Sequence, residues 1–102
     1  MSRVNLPRDA ALVELRPEAL TFASRRALLP GTAVSFTLVM EGQPLPLEAE
    51  VAACLVVAKD RKGLLFHVRL TLEGLARSDR RLIELFIGKG RGAPALAPTP
   101  AK

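Results

Sequence analysis

The chain has no tryptophan, no tyrosine, one cysteine and one histidine among its 102 residues, and its only aromatic side chains are four phenylalanines. Each shortage removes a class of chemistry. The lone Cys54 has no partner for an internal disulfide and reads as a small apolar side chain on a strand. The lone His67 leaves a nucleophilic triad without a convergent set of base and nucleophile, and its position beside Leu65 and Arg69 reads as the outer face of a strand. No aromatic platform for stacking single-stranded bases is expected, because Phe22, Phe36, Phe66 and Phe86 all fall at positions that face inward. No segment approaches the roughly 20 apolar residues of a membrane span, and the first ten residues lack the apolar stretch of a signal peptide. The expectation is a cytoplasmic protein without membrane insertion.

What remains is the composition of an ordinary folded domain, 49% hydrophobic and 25% charged, at a length that suits one hydrophobic core. The net charge of +5 is unevenly placed. From Arg77 onward, six basic residues stand against Asp79 and Glu84, so this end holds +4 of the total and the body is nearly neutral. A basic end admits nucleic-acid binding as an alternative, which salt would weaken steeply and removal of residues 88–102 would abolish. A solvated helix face and tail account for the same charges.

Hydrophobic alternation organises the body. In "TAVSFTLVM", Val34, Phe36, Leu38 and Met40 share one side of a strand. After the turn "EGQ", the stretch "PLPLEAEVAACLVVAKD" puts Leu45, Leu47, Ala49, Val51, Ala53, Leu55 and Val57 on one face, with Glu48, Glu50 and Cys54 on the other, as one long strand or one broken by a bulge. "LLFHVRLTL" follows a glycine-closed turn and points Leu64, Phe66, Val68, Leu70 and Leu72 inward. Two shorter strands, "ALVEL" and "ALTFAS", come earlier, with Val13, Leu15, Leu20 and Phe22 as inward residues. Between them, "ELRPEAL" bends without glycine; Pro17 suits the second position of a turn that keeps negative φ throughout. At "RSDRRLIELFI" the period changes to that of an amphipathic helix, with Ser78 as its cap and Gly88 as its stop. The expected organisation is an N-terminal arm over residues 1–10, an all-β antiparallel barrel with one terminal helix over 11–88, and a flexible Pro/Ala-rich tail over 89–102.

Few residues suggest chemistry. Glu48 and Glu50 lie about 7 Å apart on one strand face, which without a third ligand or a histidine is a weak metal or acid–base site. "GKGRG" follows a helix and its lysine precedes no Ser or Thr, so it lacks the setting of a phosphate loop. No catalytic residue, metal ligand or resident cofactor is expected, and the chain does not read as an enzyme.

The order of elements, together with "RPEALTFASRRALLPGTAVSFTLVM", "EAEVAACLVV", "GLLFHVRL" and "DRRLIELFI", resembles the PilZ family of bacterial domains over about residues 11–87. The resemblance implies a small barrel and, for many members, binding of cyclic di-GMP through two elements. One is an arm with two arginines separated by three residues; the other is a barrel signature of Asp or Asn, any residue, Ser, two residues, then Gly. Arginine forks grip phosphate and guanine edges, and small signature residues let the ligand approach the backbone. Here Glu14 stands for the acid, Arg16 for the serine and Ala19 for the glycine, while Arg3 and Arg8 are separated by four residues. Only five residues lie between Arg8 and Glu14, little room for the usual arm plus first strand, so the expected barrel is shortened at its N-terminal end.

Two functions follow as expectations. The first is a regulatory adaptor whose ordinary cyclic di-GMP site is degraded and which binds a protein of a motility, pilus or signalling system. The second is an atypical cyclic di-GMP receptor in which Arg3, Arg8, Arg16, Arg25 and Arg26 supply the contacts. An open strand edge left by a shortened barrel would also permit a homodimer.

Overall fold

A computed structural model describes residues 3–89 and 94–99. Its strands are β1 (Arg3–Asn5), β2 (Ala11–Leu15), β3 (Ala19–Ser24), β4 (Ala33–Met40), β5 (Gln43–Asp60), β6 (Gly63–Thr71) and β7 (Ala95–Pro98), with helix α1 (Arg77–Lys89) between β6 and β7. The strands form one curled sheet in the order β1-β4-β5-β6-β3-β2, and β7 also pairs with β4. The all-β fold with a single helix expected from the sequence is present as a half-barrel whose ends approach each other where β2 meets β7. The pairing is antiparallel apart from β1, which runs parallel to β4. No described helix is long and apolar enough to cross a membrane.

The inward alternation of β4 holds: Val34, Phe36, Leu38 and Met40 are buried and meet Phe22, Val68 and Leu70 in a single core. Along β5 it holds only to Val51. The pairing with β6 shifts between Val51 and Ala53 and again between Val56 and Ala58. An extra residue reverses which face the next side chains take. Cys54, opposite buried Val68, therefore packs against the core, whereas Leu55 is 65% exposed; both were expected on the opposite faces. Val57 is exposed as well. A third shift, between Leu12 and Glu14, turns Val13 out to solvent and brings Leu12 to the core in its place.

Two turns show how local residues fix the strand connections. At Met40↔Gln43 the two linking residues Glu41 and Gly42 have φ of 52° and 77°, the paired positive angles of a tight hairpin that matches strand twist. Glycine takes this conformation freely, whereas glutamate pays on the order of 1 kcal/mol for it. The Arg16–Ala19 turn is the opposite case. Its ends exchange main-chain hydrogen bonds, Arg16 N–H to Ala19 O at 2.8 Å and the return bond at 3.4 Å, and no residue in it has positive φ. Pro17 makes glycine unnecessary there.

The two ends of the chain depart from expectation. The stretch read as an arm contributes β1 and buries Leu6 and Pro7. Within the stretch read as a flexible tail, Ala95–Pro98 forms β7, with Leu96 opposite Leu38 and packed on the core. Asn5 joins the two: its side chain donates to the Thr99 carbonyl at 2.9 Å and accepts from the Thr99 amide at 2.9 Å. Residues 90–93 and 100–102 of the tail, Arg91 and Lys102 among them, lie outside the described residues. Helix α1 begins one residue before Ser78, which is thus inside the first turn, and it runs through Gly88 to Lys89.

β6 leaves the sheet early: its pairing with β5 starts only at Glu50, so β5 from Gln43 to Ala49 has β4 on one side alone. Pro44 and Pro46 sit in this half, where a missing N–H breaks no ladder on the open side. Helix α1 lies beside that edge, with Leu75, Ala76 and Asp79 near Leu47 and Glu48, and Leu82, Leu85 and Phe86 near Pro44 and Leu45. Its buried residue is Ile83. Replacing Asn5 by alanine removes both bonds to Thr99 and is expected to cost about 1–2 kcal/mol in urea unfolding, against about 3–5 kcal/mol for Phe36→Ala in the core. An Asn5→Ala protein as stable as the parent contradicts the clasp.

Candidate functional site

The five arginines raised as ligand contacts do not converge. Arg3 reaches from β1 to Glu48 on β5, with N···O distances of 3.0 and 3.2 Å. Arg16, at the start of the β2–β3 turn, pairs with Glu14 of β2 at 3.1 Å. Arg25 makes a two-pronged bond to Asp60, at 2.7 and 2.8 Å, and also donates to the Gly63 carbonyl at 3.4 Å. Arg16 and Arg25 flank opposite ends of β3, whose five residue steps span about 16 Å. A single small ligand therefore does not meet all five.

The Arg25–Asp60 bond has a structural reason. β4 pairs with β5 no further than Glu50, and β3 pairs with β6 only from Phe66, so the far part of the β5–β6 hairpin is a two-stranded ribbon. Such ribbons are marginal in water. Arg25, entering from the β3–β4 loop, grips Asp60 at the ribbon's tip, and Asp60 also accepts the Lys62 amide at 2.9 Å. The guanidinium first, and the amide second, hold the Asp60 carboxyl below the usual aspartate range. The ribbon carries Leu55, Val56, Val57 and Leu64, all exposed.

Arg8 and Arg26 are the two arginines that share a site. They line a groove of about 750 Å³ between Val4–Asp9, Arg26 and Pro98–Thr99. Its wall is built by Asp9, a residue the sequence reading did not single out. The Asp9 carboxylate accepts the Arg25 main-chain N–H at 2.7 Å and the Ser24 hydroxyl at 2.9 Å; Ser24 in turn accepts the Arg26 N–H at 3.0 Å. Ser24 is buried, and this chain of bonds satisfies it. The Arg25 amide is the main cause that lowers the Asp9 pKa, partial burial opposes it, and Ser24 and the Arg26 charge add to the lowering. The groove thus offers two cations against one carboxylate whose oxygens are already engaged, an arrangement that can attract an anion. No local sequence signal marks Asp9, since its partners lie 15 and 16 residues away.

Other candidates separate. Glu48 is taken by Arg3, and Glu50 stands opposite Ala33 and Thr71. His67 is half-buried on the outer face, in a shallow depression of about 380 Å³ with Val13, Glu14, Thr21, Leu55 and Arg69. Among the described residues no group of three His, Cys, Asp or Glu side chains is placed to hold a metal ion. No family model matches the chain, and no curated protein or solved structure matches it either.

The Asp9 geometry predicts a pH effect. Because its folded pKa lies below the unfolded one, the carboxylate's contribution to stability is complete above the unfolded value and disappears as pH falls through the folded value. Urea midpoints measured downward from neutral pH should fall below about pH 4, and Asp9→Asn should flatten that fall. A variant with the parent's full acid dependence contradicts the assigned bonds.

Proposed function

We propose that the chain is a PilZ-like, non-enzymatic bacterial regulatory domain that acts by binding a protein partner, with its ordinary cyclic di-GMP site degraded. The partner class, a motility, pilus or signalling assembly in the cytoplasm, follows from the family resemblance. The observation that carries the reading is the Glu14–Arg16 ion pair. At two positions where the resembling signature has a ligand-facing acid and a small hydroxyl, this chain has a long acid and a long base bonded to each other. Ala19, at the glycine position, has its Cβ buried, so the backbone there is covered. Arg3 and Arg25 are likewise spoken for by Glu48 and Asp60. Exposed apolar side chains on the ribbon and on α1 supply surface for a protein instead.

A second reading is supported by one observation, the Arg8–Arg26 groove, whose volume is in the range that holds small ligands. It reduces the atypical receptor from five arginines to these two, with Arg3, Arg16 and Arg25 excused by their carboxylates. The nucleic-acid alternative depends on the basic end, of which Arg91 and Lys102 lie outside the described residues. Isothermal titration with cyclic di-GMP separates the first two: the adaptor reading predicts no heat of binding at micromolar ligand. Binding at that level, abolished by Arg8→Ala with Arg26→Ala, overturns it in favour of the receptor.

A further inference from the structure

Helix α1 turns Ile83 to the core and leaves Arg77, Arg81, Leu82, Leu85 and Lys89 exposed. Leu82 and Leu85 are each about half exposed and lie one turn from the basic residues. With Phe86 and Lys89 they line the helix side of a groove of about 390 Å³ whose other side is Met40, Glu41, Gln43, Pro44 and Leu45 at the β4–β5 turn. We infer that this groove docks an amphipathic helix of a partner protein, one that sets leucine-like anchors between α1 and the turn and presents acidic residues to Arg81 and Lys89. The inference rests on the adaptor reading and names its surface.

Three features select this occupant. The sheet edge beside the groove carries Pro44 and Pro46, which have no N–H to offer, so an added strand finds its ladder short of donors and side-chain packing carries more of the contact. The exposed face of α1 holds three cations, Arg77, Arg81 and Lys89, and one acid, Glu84, so the same face of a second copy is repelled and an acidic partner attracted. The leucines line a concavity that Glu41 also lines, a poor fit to a flat anionic membrane. The ribbon, a second exposed apolar surface, has bulges on β5, the device by which sheet edges resist pairing.

The probe is a synthetic four-turn helix with leucines at i, i+3 and i+7 and glutamates along one flank, titrated into the whole 102-residue chain and followed by amide NMR. Expected are shifts at Met40, Leu45, Leu82 and Leu85, an affinity that weakens as salt is raised, and about tenfold weaker binding by the Arg81→Glu, Lys89→Glu variant. Both substitutions are on exposed positions, and unchanged amide spectra elsewhere verify that the variant is folded. Absence of shifts at millimolar peptide overturns the proposal, as does equal binding of a matched peptide with lysines in place of the glutamates. So does perturbation of the same amides by phosphatidylglycerol vesicles alone, or by concentrating the protein by itself. Cyclic di-GMP is read in the same spectra at Arg8 and Arg26, so failure of the groove and failure of the adaptor reading appear at different residues.

Discussion

The four central strands of the sheet are held in place by one buried stripe, where Phe22 of β3, Val34, Phe36 and Leu38 of β4, Val51 of β5 and Val68 and Leu70 of β6 meet with no accessible surface or almost none. A slip of one residue in any pairing would turn that strand's apolar side chains to water, which fixes register far more firmly than any surface bond. The charged contacts depend on this register. Arg25 meets Asp60 because β3 ends at Ser24 opposite Phe66, leaving the next residue beside the tip of the β5–β6 hairpin. Arg3 meets Glu48 because β1 and β5 flank the same strand, β4.

With the core free of charge, the arginines are distributed over the outside, and three of the five nearest the N-terminus carry a carboxylate partner. Exposed ion pairs contribute little stability singly. Their effect here is on availability: a ligand that sought Arg25 would compete with a two-pronged bond and would release the ribbon that the bond restrains. Beside the Arg8–Arg26 groove, the accessible surface includes apolar side chains on the ribbon and in the groove along α1.

Much of this was legible in the sequence because period-two alternation reports burial directly. Val34, Phe36, Leu38, Val68 and Leu70 were readable one by one. Most of the errors share a cause. Val13 sits at a bulge and Cys54, Leu55 and Val57 follow one, and a bulge is set by how a strand curls against its neighbours, which composition along one strand does not encode; Leu64, also expected inward, is exposed on the ribbon, where β3 no longer pairs with β6. β7 was missed because "ALAP" has low strand propensity and forms through β4, Leu96 and the Asn5 clasp, contacts about 60 or 90 residues away in sequence. The candidate site was legible only as residue types. That Arg8 and Arg26 share a groove, and that Asp9 shapes it, depends on the chain's return to its own beginning after β3.

Arg3, Arg16 and Arg25 are committed to carboxylates of the fold before any ligand arrives, and Arg25 is the clearest instance. Amide hydrogen exchange in an Arg25→Ala variant tests it most directly. The account predicts that protection is lost across the ribbon, from Leu55 to Leu65, while Phe66–Thr71, paired on both sides within the sheet, exchanges as in the parent. Unchanged protection of the ribbon in the variant would contradict it.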